Sequence, residues 1–181
     1  MIEVKELLEL SLKSLYKFDK ILLDRSIKEE CINHRFAIYL ENHFKNNNKI
    51  FSVDVEYNRN VTSRELIYSE IFPNDRKVFN KKIILSDIEN YKEVIPDIII
   101  HERGSNRNNY LCIEAKKVYN RTTEERDIEK LIGLLNEPFN YKFACLVEYL
   151  PNQDYFYVLL FAKENADILS EGFFVSKEER N

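Results

Sequence analysis

Tryptophan is absent from this chain, and glycine falls to 3 residues in 181. There is accordingly no Gly-rich loop of the kind whose backbone amides cradle nucleotide phosphates. No nucleophile-elbow serine and no Cys–His dyad stands out either, so the acyl-transfer hydrolases lose their usual signature. No apolar run approaches the roughly 20 residues a membrane-spanning helix needs. The opening Met-Ile-Glu-Val-Lys-Glu is too charged for a signal peptide. Cysteine is sparse: Cys31, Cys112 and Cys145 are widely separated and form no Cys-x-x-Cys pair. They read as small buried residues in a reducing compartment, and we expect a cytoplasmic protein with no membrane partner.

Charge of a single sign is lacking too. With 27 basic and 31 acidic residues, the formal net charge is −4. That excludes a protein coated in basic charge. It leaves room for a local strip, because phosphate binding depends on where lysines and arginines sit. Lys81-Lys82, Arg103, Arg107, Lys116-Lys117 and Arg121 are candidates for one. His34, His101 and Cys112 show no zinc-ligand spacing and read as structural residues.

What is present is a folded composition, 44% apolar and 13% aromatic, long enough for a substantial core. We expect one domain over residues 1–181. Val4, Leu7, Leu8, Leu12 and Leu15 fall at helical spacing and predict a helix over residues 3–18. Ser26 with Glu29 three residues on forms a capping-box pattern for a second helix running to Lys45. Phe51, Val53, Val55 and Tyr57 alternate with polar residues, which predicts a strand. Residues 58–92 read as an insertion on the core, with a short helix at 63–71, a turn at 73–75 and an extra strand at 78–85. Ile98–His101 and Leu111–Ala115 predict an antiparallel hairpin around an Asn-rich turn. Thr122 or Thr123 can cap a helix whose buried stripe is Ile128, Leu131, Ile132 and Leu135. Two strands, 143–149 and 155–161, follow, and Phe173 to Val175 add an edge. No internal repeat appears. The fold class is α/β in the broad sense, an α+β mixed sheet flanked by helices.

The hairpin carries the chemistry. Pro96-Asp97 opens its first strand, and Glu114-Ala115-Lys116 closes its second. Glu114 and Lys116 share one face, about 7 Å apart at roughly 3.3 Å per residue. A register that lays Asp97 near Glu114 brings two carboxylates to one point. They then repel unless a cation lies between them. Such a hard oxygen site suits Mg²⁺ or Mn²⁺, and it suits phosphodiester hydrolysis by metal-activated water. Lys116 is placed to orient or deprotonate that water, or to stabilise the transition state. The bland alternative is a solvated Glu-x-Lys ion pair on an edge strand, which contributes little. The surrounding Ile, Leu and Cys residues argue against it, since charge inside an apolar strand is costly unless it is paired or functional.

These residues resemble the PD-(D/E)XK nuclease superfamily, which shares the restriction-endonuclease-like fold. The likeness runs over residues 25–161. It takes in Glu29 and His34-Arg35 on a helix, Val-Glu-Tyr-Asn-Arg at 55–59, the hairpin, Asp-Ile-Glu-Lys-Leu at 127–131 and the strand after Tyr141. The resemblance implies Asp97 and Glu114 as metal ligands, the Ala115 carbonyl as a third, and Lys116 as the catalytic lysine. It also implies a glutamate from the first core helix, Glu29 with Glu30 as the alternative. Glu29 has a competing role in the capping box, and Glu30 one as a helical partner of His34. The 58–92 insertion departs from the group. The expectation is a Mg²⁺- or Mn²⁺-dependent nuclease, acting on DNA ahead of RNA, as a homodimer if both strands of a duplex are cut. The rival expectation is a catalytically weak nucleic-acid- or protein-binding module of the same fold in a defence or mobile-element system. Both carboxylates are expected to converge on one face, near the first core helix.

Overall fold

A computed structural model of the chain describes residues 1–24, 27–45, 50–57, 78–79, 92–93, 95–118, 125–136, 138–165 and 167–177. In chain order the elements are α1 (Ile2–Asp24), α2 (Glu29–Lys45), β1 (Ser52–Val55), β2 (Val78–Phe79), β3 (Lys92–Glu93), β4 (Ile98–His101), β5 (Asn109–Lys116), α3 (Glu125–Leu135), β6 (Phe143–Glu148), β7 (Tyr155–Glu164) and β8 (Asp167–Ser176). Six strands form one mixed sheet in the order β1-β4-β5-β6-β7-β8. All pairings are antiparallel except β5 with β6. A parallel pair needs a crossover connection, and α3 lies in the one between β5 and β6. The α+β mixed-sheet class read from the sequence is the class observed.

Alternation along the strands feeds two cores. Ile98, Ile100, Leu111, Ile113, Cys145, Val147 and Val158 meet Leu8, Leu12, Leu15, Ile32, Phe36 and Leu40 of α1 and α2. On the other face, Ile99, Cys112, Ala144, Leu146 and Phe161 meet Leu131, Leu134 and Leu135 of α3. Each strand residue thus declares its face by its neighbours two positions away. No helix is long and apolar enough to cross a membrane among the described residues.

Several expectations are revised. The first helix runs past residue 18 to Asp24, with a kink at Asp19 (φ −128°, ψ 24°), so Ile21 to Leu23 belong to it. The Asp19 carboxylate explains the kink's fixed position: it accepts from Arg35 Nε at 2.8 Å and from the Tyr39 hydroxyl, both on α2. In α3 the buried set is Asp127, Leu131, Leu134 and Leu135, and Ile132 is only half-buried. The last strand is ten residues long, not three, and pairs along its length with β7. Cys31 is exposed, whereas Cys112 and Cys145 are buried; all three are free thiols. Within the 58–92 stretch, Val78–Phe79 pairs antiparallel with Lys92–Glu93. The expected helix at 63–71, the turn at 73–75, the rest of the strand at 78–85 and the caps at Ser26, Thr122 and Thr123 lie outside the described residues.

Candidate active site

The β4–β5 register settles where the hairpin charges meet. Ile98 lies opposite Ile113 and Ile99 opposite Cys112, so the next step places Asp97 opposite Glu114. Ile99 and Cys112 both face α3, and Asp97 and Glu114 therefore share that face. Directly opposed residues hold their Cβ atoms about 4.5–5.5 Å apart. Lys116 follows two residues along the same face. The face is the one covered by α3, while Glu29 of α2 reaches the end of β5 from the first core helix. Period-two alternation decides this: Glu114 follows Cys112 and cannot share a face with Ile113.

Pro96 has a specific consequence here. The Lys116 carbonyl accepts from Tyr149 N–H at 2.8 Å, so the backbone groups of Lys116 turn toward β6. Those of Ala115 turn the other way, toward β4. The residue opposite Ala115 on that side is Pro96, which has no N–H to donate. The Ala115 N–H is taken instead by Asp97 Oδ2 at 2.8 Å, and the ladder offers the Ala115 carbonyl no donor. Asp97 is held from its other side as well, because its carbonyl accepts from Glu56 N–H at 2.9 Å. The Pro-Asp pair thus ends one ladder and fixes a carboxylate at the same point.

Two residues of α3 complete the charge set. Lys130 Nζ forms an ion pair with Glu114 Oε1 at 2.5 Å. The same ammonium donates to the Ile95 carbonyl at 2.7 Å. Asp127 Oδ2 stands 3.6 Å from Lys116 Nζ. Glu29 approaches from α2 at the end of β5 and accepts the Lys117 N–H. Glu30 is exposed. The Glu29 carboxylate therefore reaches across to β5.

The electrostatics follow from burial. The Glu114 side chain is only 3% exposed. Burial, with the Asp97 carboxylate adding to it, pushes its pKa up to about 7, and Lys130 offsets only part of this. Burial also raises Asp97, against the Ala115 N–H, Lys130 and Lys116, which act to lower it. For Lys116 burial acts downward, yet Asp127, Asp97, Glu29 and Glu114 together outweigh it and leave its pKa raised. The surrounding carboxylates therefore favour the ammonium form of Lys116. Asp97 and Lys116 each lie within electrostatic reach of the other and of Glu114 and Glu29.

Sequence reading missed Asp127 and Lys130 as members of this cluster. Their signal was present: both sit on the apolar stripe of α3, four residues before Leu131 and Leu134 respectively. Of the expected basic strip, Lys116 stands in the cluster, and two other members are bound elsewhere. Arg103 lies at the far end of β4, bound to Asp54 at 2.8 Å through Nε, and Lys117 Nζ donates to the Leu22 carbonyl at 3.3 Å. Lys81, Lys82 and Arg121 lie outside the described residues. His101 joins the Asp54 cluster at 2.9 Å and makes a tilted ring contact with Tyr57, which gives it a structural role.

Among the described residues, no group of three or more His, Cys, Asp or Glu side chains is gathered closely enough to hold a metal ion. The donor set fits a smaller site. Asp97, Glu114 with its buried, poorly bonded Oε1, and the Ala115 carbonyl supply three hard oxygens; waters or a phosphate would complete it. Glu29 is held at the edge by Lys117. No known protein-family model and no curated protein matches this chain.

Proposed function

We propose that this protein is a metal-dependent phosphodiesterase that hydrolyses nucleic acid, DNA ahead of RNA, in the manner of the PD-(D/E)XK nucleases it resembles. The observation that carries the reading is that Asp97, one step beyond the paired Ile98 and Ile113, accepts the Ala115 N–H and acts on Glu114, with Lys116 next along the same face. Structural strands seldom place two carboxylates together under a helix, since each raises the other's pKa. Asp97, Glu114 and the Ala115 carbonyl would hold Mg²⁺ or Mn²⁺. When bound, that ion lowers the pKa of a water and neutralises charge on the phosphoryl oxygens. Asp97 and Glu114 fix the position of attack. Lys116, an ammonium steadied by Asp127, meets the charge that develops on the phosphoryl group. Glu29 orders the end of β5 through Lys117, so that Lys116 is presented at one angle.

The decisive test incubates the purified chain with linear, circular, single-stranded and branched DNA and with RNA. Each is run with Mg²⁺, with Mn²⁺ and with chelator, and beside Glu114→Ala and Lys116→Ala. Metal-dependent cleavage lost in both variants is the expected result; cleavage that survives both sinks the reading. A second reading, a nuclease-like fold that binds nucleic acid with little turnover, is favoured by one observation: Glu114 already holds a cation, Lys130. Binding of the same substrates without cleavage in any metal would select it.

A further inference from the structure

We propose that Lys130 is an internal counter-cation that keeps the place of a divalent ion between Asp97 and Glu114, and that it has to swing out before one binds. This rests on the phosphodiesterase reading above and adds a control on when the site loads. The ammonium meets Glu114 Oε1 at 2.5 Å and the Ile95 carbonyl at 2.7 Å, two residues before Asp97. It also acts on Asp97 electrostatically. A positive charge thus stands against one carboxylate, in the field of the second, anchored by a carbonyl. Those are the contacts a hard cation would make.

An ordinary surface ion pair does not account for this. Surface pairs join two solvated groups and contribute little. Here Glu114 is buried, while the lysine enters from the partly exposed side of α3 on a flexible four-carbon stem. A buried carboxylate left alone is strongly disfavoured, so some cation has to attend it. Lys130 supplies one when no ion is present, and its compact ammonium can be exchanged for another without moving the strands. The metal then binds with an affinity set by the difference between the two cations. A cation attends the two carboxylates in both states.

The experiment uses the whole chain at about pH 8.5. First, lysine acetylation of the wild-type protein is followed by mass spectrometry with and without saturating Mg²⁺, with exposed Lys13 as the internal reference. Second, Mg²⁺ affinity is measured by calorimetry for wild type, Lys130→Met and Lys130→Arg. Acetylation of Lys130 rises on metal binding relative to Lys13, and Lys130→Met binds Mg²⁺ about tenfold more tightly while Lys130→Arg does not. Binding by Lys130→Met alone supports the proposal equally. If the wild type binds Mg²⁺ but Lys130 labelling is unchanged and Lys130→Met binds no better, the competition is refuted and the phosphodiesterase reading stands. If neither wild type nor Lys130→Met binds Mg²⁺ or Mn²⁺, both are refuted. The labelling arm needs no variant and remains decisive even if Lys130→Met fails to fold.

Discussion

Replacing Glu114 by glutamine should abolish a loss of stability that the metal-free protein suffers as pH rises. The carboxyl is pushed from 4.5 up to about 7 by burial and by Asp97. At 1.36 kcal/mol per pH unit, that rise corresponds to about 3 kcal/mol. The sign follows from the raised pKa: the folded state holds the proton more tightly than the unfolded chain. The stabilisation is complete below about pH 4.5 and is lost as pH climbs through about 7. Glutamine has nearly the same shape and no ionisation, so it removes that dependence. Part of the effect is shared with Asp97, whose own raised pKa is coupled to Glu114, and a difference of about 2–3 kcal/mol is expected. The assay is urea unfolding of wild type and Glu114→Gln in chelator from pH 4.5 to 8.5. The quantity to read is the stability difference between them, which cancels contributions from other groups. Glu114→Gln should gain on the wild type steadily between about pH 5 and pH 8. A difference that stays flat, or turns against glutamine above pH 7, would refute the claim that Glu114 ionises at a cost in the folded state.

Three other substitutions probe other links. Asp97→Ala should cost about 1–3 kcal/mol by chemical denaturation, because it leaves the Ala115 N–H without its acceptor, whereas Asp97→Asn keeps an acceptor and most of the stability. Leu134→Ala should cost about 2–5 kcal/mol and Ile132→Ala clearly less, a contrast that separates the observed α3 stripe from the one periodicity predicts. Lys177 is buried, donating to the carbonyls of Leu150 at 2.8 Å and Gln153 at 2.7 Å, and burial pushes its pKa down to about 8. Its ammonium therefore costs stability below pH 8, and that cost is relieved as pH rises from about 8 toward 10.5; unfolding curves for Lys177→Met should lack this alkaline gain.

Much of the fold was legible because it depends on short-range pattern. The β-branched run at Ile98–His101 and the apolar run at Leu111–Ala115 are short and bounded by turn residues, which marks strands, and the Asn-rich turn between them favours an antiparallel return. Leu8, Leu12 and Leu15 likewise marked the buried side of α1. The helix end was less visible. Asp19 carries non-helical angles, yet hydrogen bonding resumes beyond it because Arg35 and Tyr39 of a different helix hold its carboxylate. The long β8 was hidden for a related reason. As an edge strand it exposes most of its residues, so its sequence has little alternation to read, and its partner β7 defines it.

For the candidate site, the sequence alone determined the chemical kit. Pro96 ends a ladder wherever the strand is placed, since it has no N–H. Glu114 and Lys116 share a face in any strand, since side chains alternate. Only the tertiary structure decided what stands around that kit. The register of β4 on β5 put Asp97 opposite Glu114. The crossover between two parallel strands brought α3 over the pair, and with it Asp127 and Lys130. The packing of α2 brought Glu29 to the end of β5, 88 residues away along the chain. Local pattern is a property of neighbouring residues. The charge balance of a buried site is a property of whichever elements the core packs together, and it therefore appears only when the chain is folded.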